Sequence, residues 1–232
     1  MIAALGRLVR PLICAGLFHF MVGPARAVVV DGRFSGRVNS TFVSRDGTTI
    51  TNNVPNPGEV EVGDPVTGYF TYDTEGTADQ HPADPTHAEY LYSPAGKNSL
   101  YIEIKGRRWA SGTTLLIEVE NNRIHRPVGQ EIINSKFVIQ FIDGGSSFPG
   151  SQRAGEGSVA FQIAVISKGA PTTPNSLLKS DSLLTTLSDI NIAEANDVAV
   201  YVLSDYTTYP PGRYGFFVTV DPSSVRFTPR HE

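Results

Sequence analysis

The sequence predicts an all-β fold, an antiparallel β-sandwich or jelly roll, and three observations point there. Apolar and polar residues alternate along most of the chain, the pattern of strands with one buried face. Turn-forming clusters punctuate the alternation, notably Asp46-Gly47, Asn121-Asn122, Asp143-Gly144-Gly145 and Pro210-Pro211-Gly212. Roughly ten strands at this spacing favour antiparallel sheets over alternating βαβ units.

The first strand runs from Val28 to Val38. Val28, Val30, Phe34 and Val38 share a face with Gly32 and Gly36, and those glycines leave room for a close neighbour. The second, Val60 to Asp73, turns Val60, Val62, Val66, Phe70 and Tyr72 inward and Thr67, Tyr69 and Thr71 outward. Further runs follow the same rule at Tyr90 to Tyr92, Leu100 to Lys105, Thr113 to Glu120 and Lys136 to Ile142, then at Ser158 to Ile166, Val198 to Leu203, Arg213 to Val220 and Val225 to Thr228. Residues 176–195 depart from period two. Leu177, Leu178, Leu183, Leu184, Leu187 and Ile190 recur at roughly helical intervals behind Ser180-Asp181-Ser182, so a short helix or an irregular cover over one end of the sandwich is expected.

Residues 1–27 read as a cleaved signal peptide. Arg7 and Arg10 form a basic start, Leu12 to Val22 an apolar run too short to span a bilayer, and Ala25-Arg26-Ala27 a small-residue cleavage site. A single sandwich domain over residues 28–232 is then expected, secreted or periplasmic, with no membrane anchor after cleavage. The single cysteine, Cys14, leaves with the leader, so disulfides, cysteine-ligated zinc and thiolate nucleophiles are excluded from the mature chain. Loss of Arg7, Arg10 and Arg26 moves the formal net charge from −4 to −7. That balance argues against a nucleic-acid partner, which needs a basic stripe.

The run Val60-Glu61-Val62-Gly63-Asp64-Pro65-Val66-Thr67-Gly68-Tyr69-Phe70-Thr71-Tyr72-Asp73-Thr74 follows an opening Phe34-Ser35-Gly36-Arg37-Val38 strand. This pairing resembles exported bacterial proteins of the PEP-CTERM sorting-tail type, as do the leucine-rich stretch Asp181 to Ile192 and the terminal strands between Val198 and Phe227. The resemblance implies an exported β-sandwich associated with exopolysaccharide-producing Gram-negative bacteria, and it carries over no catalytic residues. The Pro-Glu-Pro tail of that family is not present at Arg226 to Glu232, so release into the periplasm or medium is expected.

Candidate chemistry is sparse. Asp73, Glu75 and Asp79 lie in an acidic loop that continues through His81, Asp84, His87 and Glu89, and calcium is the cofactor such oxygen-rich loops accept. The spacing is not that of an EF-hand, and His81 and His87 lack the spacing of common zinc motifs. Glu103 and Glu118 are candidates for the paired carboxylates of a glycosidase, provided their strands are neighbours. No G-x-S-x-G elbow and no phosphate-binding P-loop occurs. Tyr69 and Trp109 are the candidate ligand-binding aromatics, placed to stack on sugar faces. The expected role is a non-catalytic binding or structural protein of the envelope or extracellular matrix, with polysaccharide as partner. The alternatives are a glycoside hydrolase-like jelly roll and a calcium-stabilised surface domain.

Overall fold

The computed structural model describes residues 28–44, 50–53, 59–110, 114–125, 132–142, 157–165, 176–183, 186–206 and 212–231. The leader and the turns at Asp46-Gly47, Asp143-Gly144-Gly145 and Pro210-Pro211 lie outside them. The strands are β1 (Val28–Ser44), β2 (Ile50–Asn52), β3 (Pro65–Asp73), β4 (His87–Tyr92), β5 (Ser99–Ile104), β6 (Arg107–Ala110), β7 (Thr114–His125), β8 (Ile132–Ile142), β9 (Gly157–Val165), β10 (Asp197–Tyr206), β11 (Gly212–Val220) and β12 (Arg226–His231). The fold is all-β, as the alternation predicts.

All twelve strands belong to one antiparallel sheet, with the order β4-β7-β8-β9-β10-β11-β1-β3-β5-β6 and with β12 and β2 also paired to β1. The long strand β1 is the pivot. Its first half bonds β12 on one side and β3 on the other; from Gly36 onward, across a register shift between Val38 and Ser40, it bonds β11, and its end from Phe42 to Ser44 also bonds β2. The sheet folds over itself, so that inward residues of β1, β3, β5 and β6 meet those of β7 to β11 in one apolar cluster.

The meeting of the two layers is aromatic. In the β1–β3 ladder Gly32 lies opposite Phe70 and Phe34 opposite Gly68. Each phenyl lies over the facing glycine: a Cβ on Gly32 would sit 1.8 Å from Phe70 Cζ, and one on Gly68 2.0 Å from Phe34 Cζ. Both rings then stack on Phe161 of β9, with centroids 4.4 Å away for Phe34 and 5.4 Å for Phe70. Tyr72 meets Phe137 of β8, and Trp109 of β6 lies edge-on to Phe216 of β11.

Two local expectations are corrected, and a third resolves to one of its two alternatives. Val62 is 52% exposed, because residues 61–64 form a turn in which the Glu61 N–H donates to Asp64 Oδ2 and the Gly63 N–H to the Val38 carbonyl. Asn121-Asn122 is not a turn between strands but a bulge inside β7, with Asn122 at φ 55° and its N–H donated to the buried Ser135 hydroxyl. Residues 176–183 and 186–195 form the irregular cover: two 3-10 turns, Leu187–Asp189 and Ile192–Glu194, bring Leu177, Leu178 and Ile190 into the core with no α-helix among the described residues.

Two measurements check this packing. Gly32→Ala and Gly68→Ala each drive a methyl into a phenyl ring and should cost about 1–3 kcal/mol in denaturant unfolding, partly recovered in the double variant Gly32→Ala/Phe70→Leu. Burial pushes the Tyr72, Tyr92 and Tyr201 hydroxyls above the ordinary phenol range, with the Asp73 carboxylate adding at Tyr92 and a hydrogen bond to Asp197 at Tyr201. The fold therefore holds these protons more tightly than the unfolded chain does. Their stabilisation is complete below about pH 10 and is lost as pH rises further. Alkaline titration at 295 nm should show these three among the nine tyrosines ionising only as the chain unfolds.

Candidate functional site

Alternation places Tyr69 on the outer face of β3, and the register carries the row across the sheet. Arg226 of β12 lies opposite Arg33 of β1, Arg33 opposite Tyr69, and Tyr69 opposite Tyr101 of β5. Tyr69 is 38% exposed and stacks on Tyr101 with centroids 5.1 Å apart. The Arg108 guanidinium sits 4.0 Å from the Tyr101 ring centre. Glu103 holds it there through Oε1, which accepts from Nε at 3.2 Å and Nη2 at 2.8 Å and pushes the guanidinium pKa further up.

The other end of the row is basic. The 3-10 turn Pro222–Ser224 is capped by Asp221, which accepts the Ser223 N–H, and docks on β1 where Ser224 Oγ accepts the Ser35 N–H at 2.8 Å. That contact sets Arg226 beside Arg33. Arg226 Nη1 donates to the Ser223 and Val225 carbonyls. Arg33 is exposed and has no ion pair among the described residues. Between them lies a depression of about 270 Å³ lined by Arg33, Thr67, Tyr69, Ser224 and Arg226. Like charges directly opposite on adjacent strands are unfavourable, and an anion seated between them would relieve the repulsion.

Trp109 does not belong to this face. The sequence makes it a candidate for stacking on sugars, but it lies in β6, opposite Ile102, and is fully buried. Its parity in β6 turns it to the core, while Arg108 points out. No sugar can stack on the ring in this position. It forms part of the wall of a small cavity of about 130 Å³ with Val60 and Ile104, rimmed by Glu59, Lys105 and Arg107.

The paired-carboxylate expectation is not met. Glu103 on β5 and Glu118 on β7 are separated in the sheet by β8, β9, β10, β11, β1 and β3. Glu103 is tied to Arg108, and Glu118 to Lys136 at 2.9 Å.

Asp73, Glu75 and Asp79 are likewise not gathered as a metal-ligand group. Asp73 Oδ1 accepts the Glu75 N–H at 2.9 Å, and Asp79 Oδ1 accepts the N–H groups of His81 and Glu89 at 2.8 and 3.0 Å. These carboxylates are spent on shaping their own loop. What that shaping brings together is a different set. Asp79 fixes the backbone of His81 and Glu89, while β4–β7 pairing places His87 opposite Glu120 and Glu89 opposite Glu118. Ligand-capable atoms of His81, His87 and Glu89 then lie within 4.8 Å of one another, as do those of His87, Glu118 and Glu120. No sequence motif announces this set, because its members come from a loop and two strands.

The burial of Trp109 has a direct optical readout. As the single tryptophan, its emission should be blue-shifted and insensitive to iodide in the folded protein, becoming quenchable only on unfolding. Comparisons of the chain with protein-family models, with curated proteins and with solved structures give no match.

Proposed function

We propose that this chain is an exported, non-catalytic binding protein of the cell envelope or extracellular matrix, and that it holds an acidic polysaccharide across the outer face of β12, β1, β3 and β5. The observation that carries the reading is the row Arg226, Arg33, Tyr69, Tyr101. The Tyr69 ring, backed on one side by Tyr101, offers its other face to a pyranose ring, and two arginines facing each other offer bidentate partners to carboxylate or sulfate groups. The leader and the resemblance to sorting-tail proteins support the compartment. Acidic rather than neutral glycan follows from Arg33, which has no ion pair among the described residues, beside Arg226.

The chain as a whole is acidic, so bulk charge opposes retention on an anionic polymer and any retention reports a local site. Affinity electrophoresis in polygalacturonate, with neutral dextran as the control matrix, tests the reading. Migration should be slowed by polygalacturonate and not by dextran. The double variant Tyr69→Ala/Tyr101→Ala should weaken binding by about tenfold, in line with losses of about 0.5–1.5 kcal/mol per stacked ring. Arg33→Ala should weaken it and steepen none of its salt dependence. Equal retardation of parent and double variant would overturn the proposal.

A further inference from the structure

We infer that His81, His87 and Glu89 bind a divalent transition-metal ion of the zinc class, with Glu118 completing the set, at a site on the far side of β4 from the core. The inference is independent of the glycan reading, which uses other strands. It starts from His87, which is 3% exposed and whose two ring nitrogens have no hydrogen-bond partner among the described residues. A buried imidazole in that condition is an unmet polar group, and native structures rarely leave one so.

The ring is aimed at carboxylates. His87 Nε2 lies 3.4 Å from Glu89 Oε1 and 3.3 Å from Glu118 Oε1, and His81 Nε2 lies 3.2 Å from Glu89 Oε2. Neither of the His87 contacts has hydrogen-bond geometry. Each of these three separations is close to the roughly 3.3–3.4 Å between neighbouring ligand atoms that zinc bonds of about 2.0–2.1 Å impose in a tetrahedral shell, with the two histidines facing different oxygens of Glu89. The His81 and His87 rings stack with centroids 4.5 Å apart, which holds both imidazoles at one spot. Two imidazoles with two carboxylates suit zinc or a neighbouring first-row ion, whereas calcium wants six to eight oxygens.

The surroundings fit that assignment. Lys136 Nζ lies 2.9 Å from Glu118 Oε2, which leaves Oε1 turned toward His87. Glu120, buried beside them, is ion-paired with Arg123 at 2.9 Å and with Lys136 at 3.5 Å, so its charge is already answered. Asp79 acts as a positioning residue through its two backbone hydrogen bonds to His81 and Glu89. Asp84, hydrogen-bonded to the Thr86 N–H and hydroxyl, shapes the turn between the two histidines. His81 is half-exposed and gives the ion its route in. A bound ion would staple the loop of residues 79–86 to β4 and β7.

The test uses untagged protein stripped with a chelator and titrated with zinc chloride. Calorimetry should show a single equivalent bound, the melting temperature should rise with zinc more than with calcium, and cobalt should give visible bands of tetrahedral intensity. His81→Ala, in the exposed loop, should leave the metal-free melting temperature unchanged and weaken zinc binding by about tenfold or more; Glu89→Gln should do the same. Absence of a zinc-dependent shift in the parent, an equal shift with calcium, or undiminished binding in His81→Ala would overturn the assignment.

Discussion

The structure depends on two phenyl rings laid over two glycines. Because Phe34 covers Gly68 and Phe70 covers Gly32 across a single ladder, the β1–β3 pair presents a nearly flat aromatic surface to the opposite layer. Phe161 stacks on both rings at once. A side chain at either glycine would lift a ring and open the space between the layers, and packing at interior density has no atoms to spare for such a gap. The interlock also fixes register. A slip of one residue would turn Phe34 and Phe70 to solvent and Arg33 and Tyr69 to the core.

Both candidate sites inherit their geometry from that parity. On the outer face of the β1 layer it aligns Arg226, Arg33, Tyr69 and Tyr101 in one row. On the outer face of the β4–β7–β8 layer it places His87, Glu89, Glu118, Glu120 and Lys136 side by side. The end strand β6 is short and carries Arg107 and Arg108, charges that discourage another chain from adding to the edge, and Arg108 also holds the Tyr101 ring.

Much of this was legible in the alternation of residues. Period two identified the core face of β1 and β3, including the glycines that admit close neighbours, and it set Tyr69 outside. It failed where the period is too short or is broken. Trp109 sits in a strand of four residues entered through a hairpin at Lys105-Gly106, both at positive φ, and Lys-Gly is a weaker hairpin signal than Asn-Gly. Asn121-Asn122 has turn chemistry but is absorbed as a bulge because Ser135 answers the freed N–H. The leucines of residues 176–195 follow helical intervals, yet Leu177 and Leu178 serve a cover whose backbone is held by pairs such as Asn191 N–H to the Leu177 carbonyl. The histidine–glutamate set was illegible for a deeper reason: only strand pairing decides that Glu89 meets Glu118, and a single sequence does not state which strands pair.

The double duty of β1 governs how the chain reaches this state. Its first strand closes against its last two: the Ser35 N–H bonds Ser224, and Val28 lies opposite His231. Contacts separated by 189 positions give the topology a high contact order, and such folds form slowly because loop closure must precede the reward of pairing. The N-terminal strand waits unpaired on that side until β11 and β12 have emerged from synthesis.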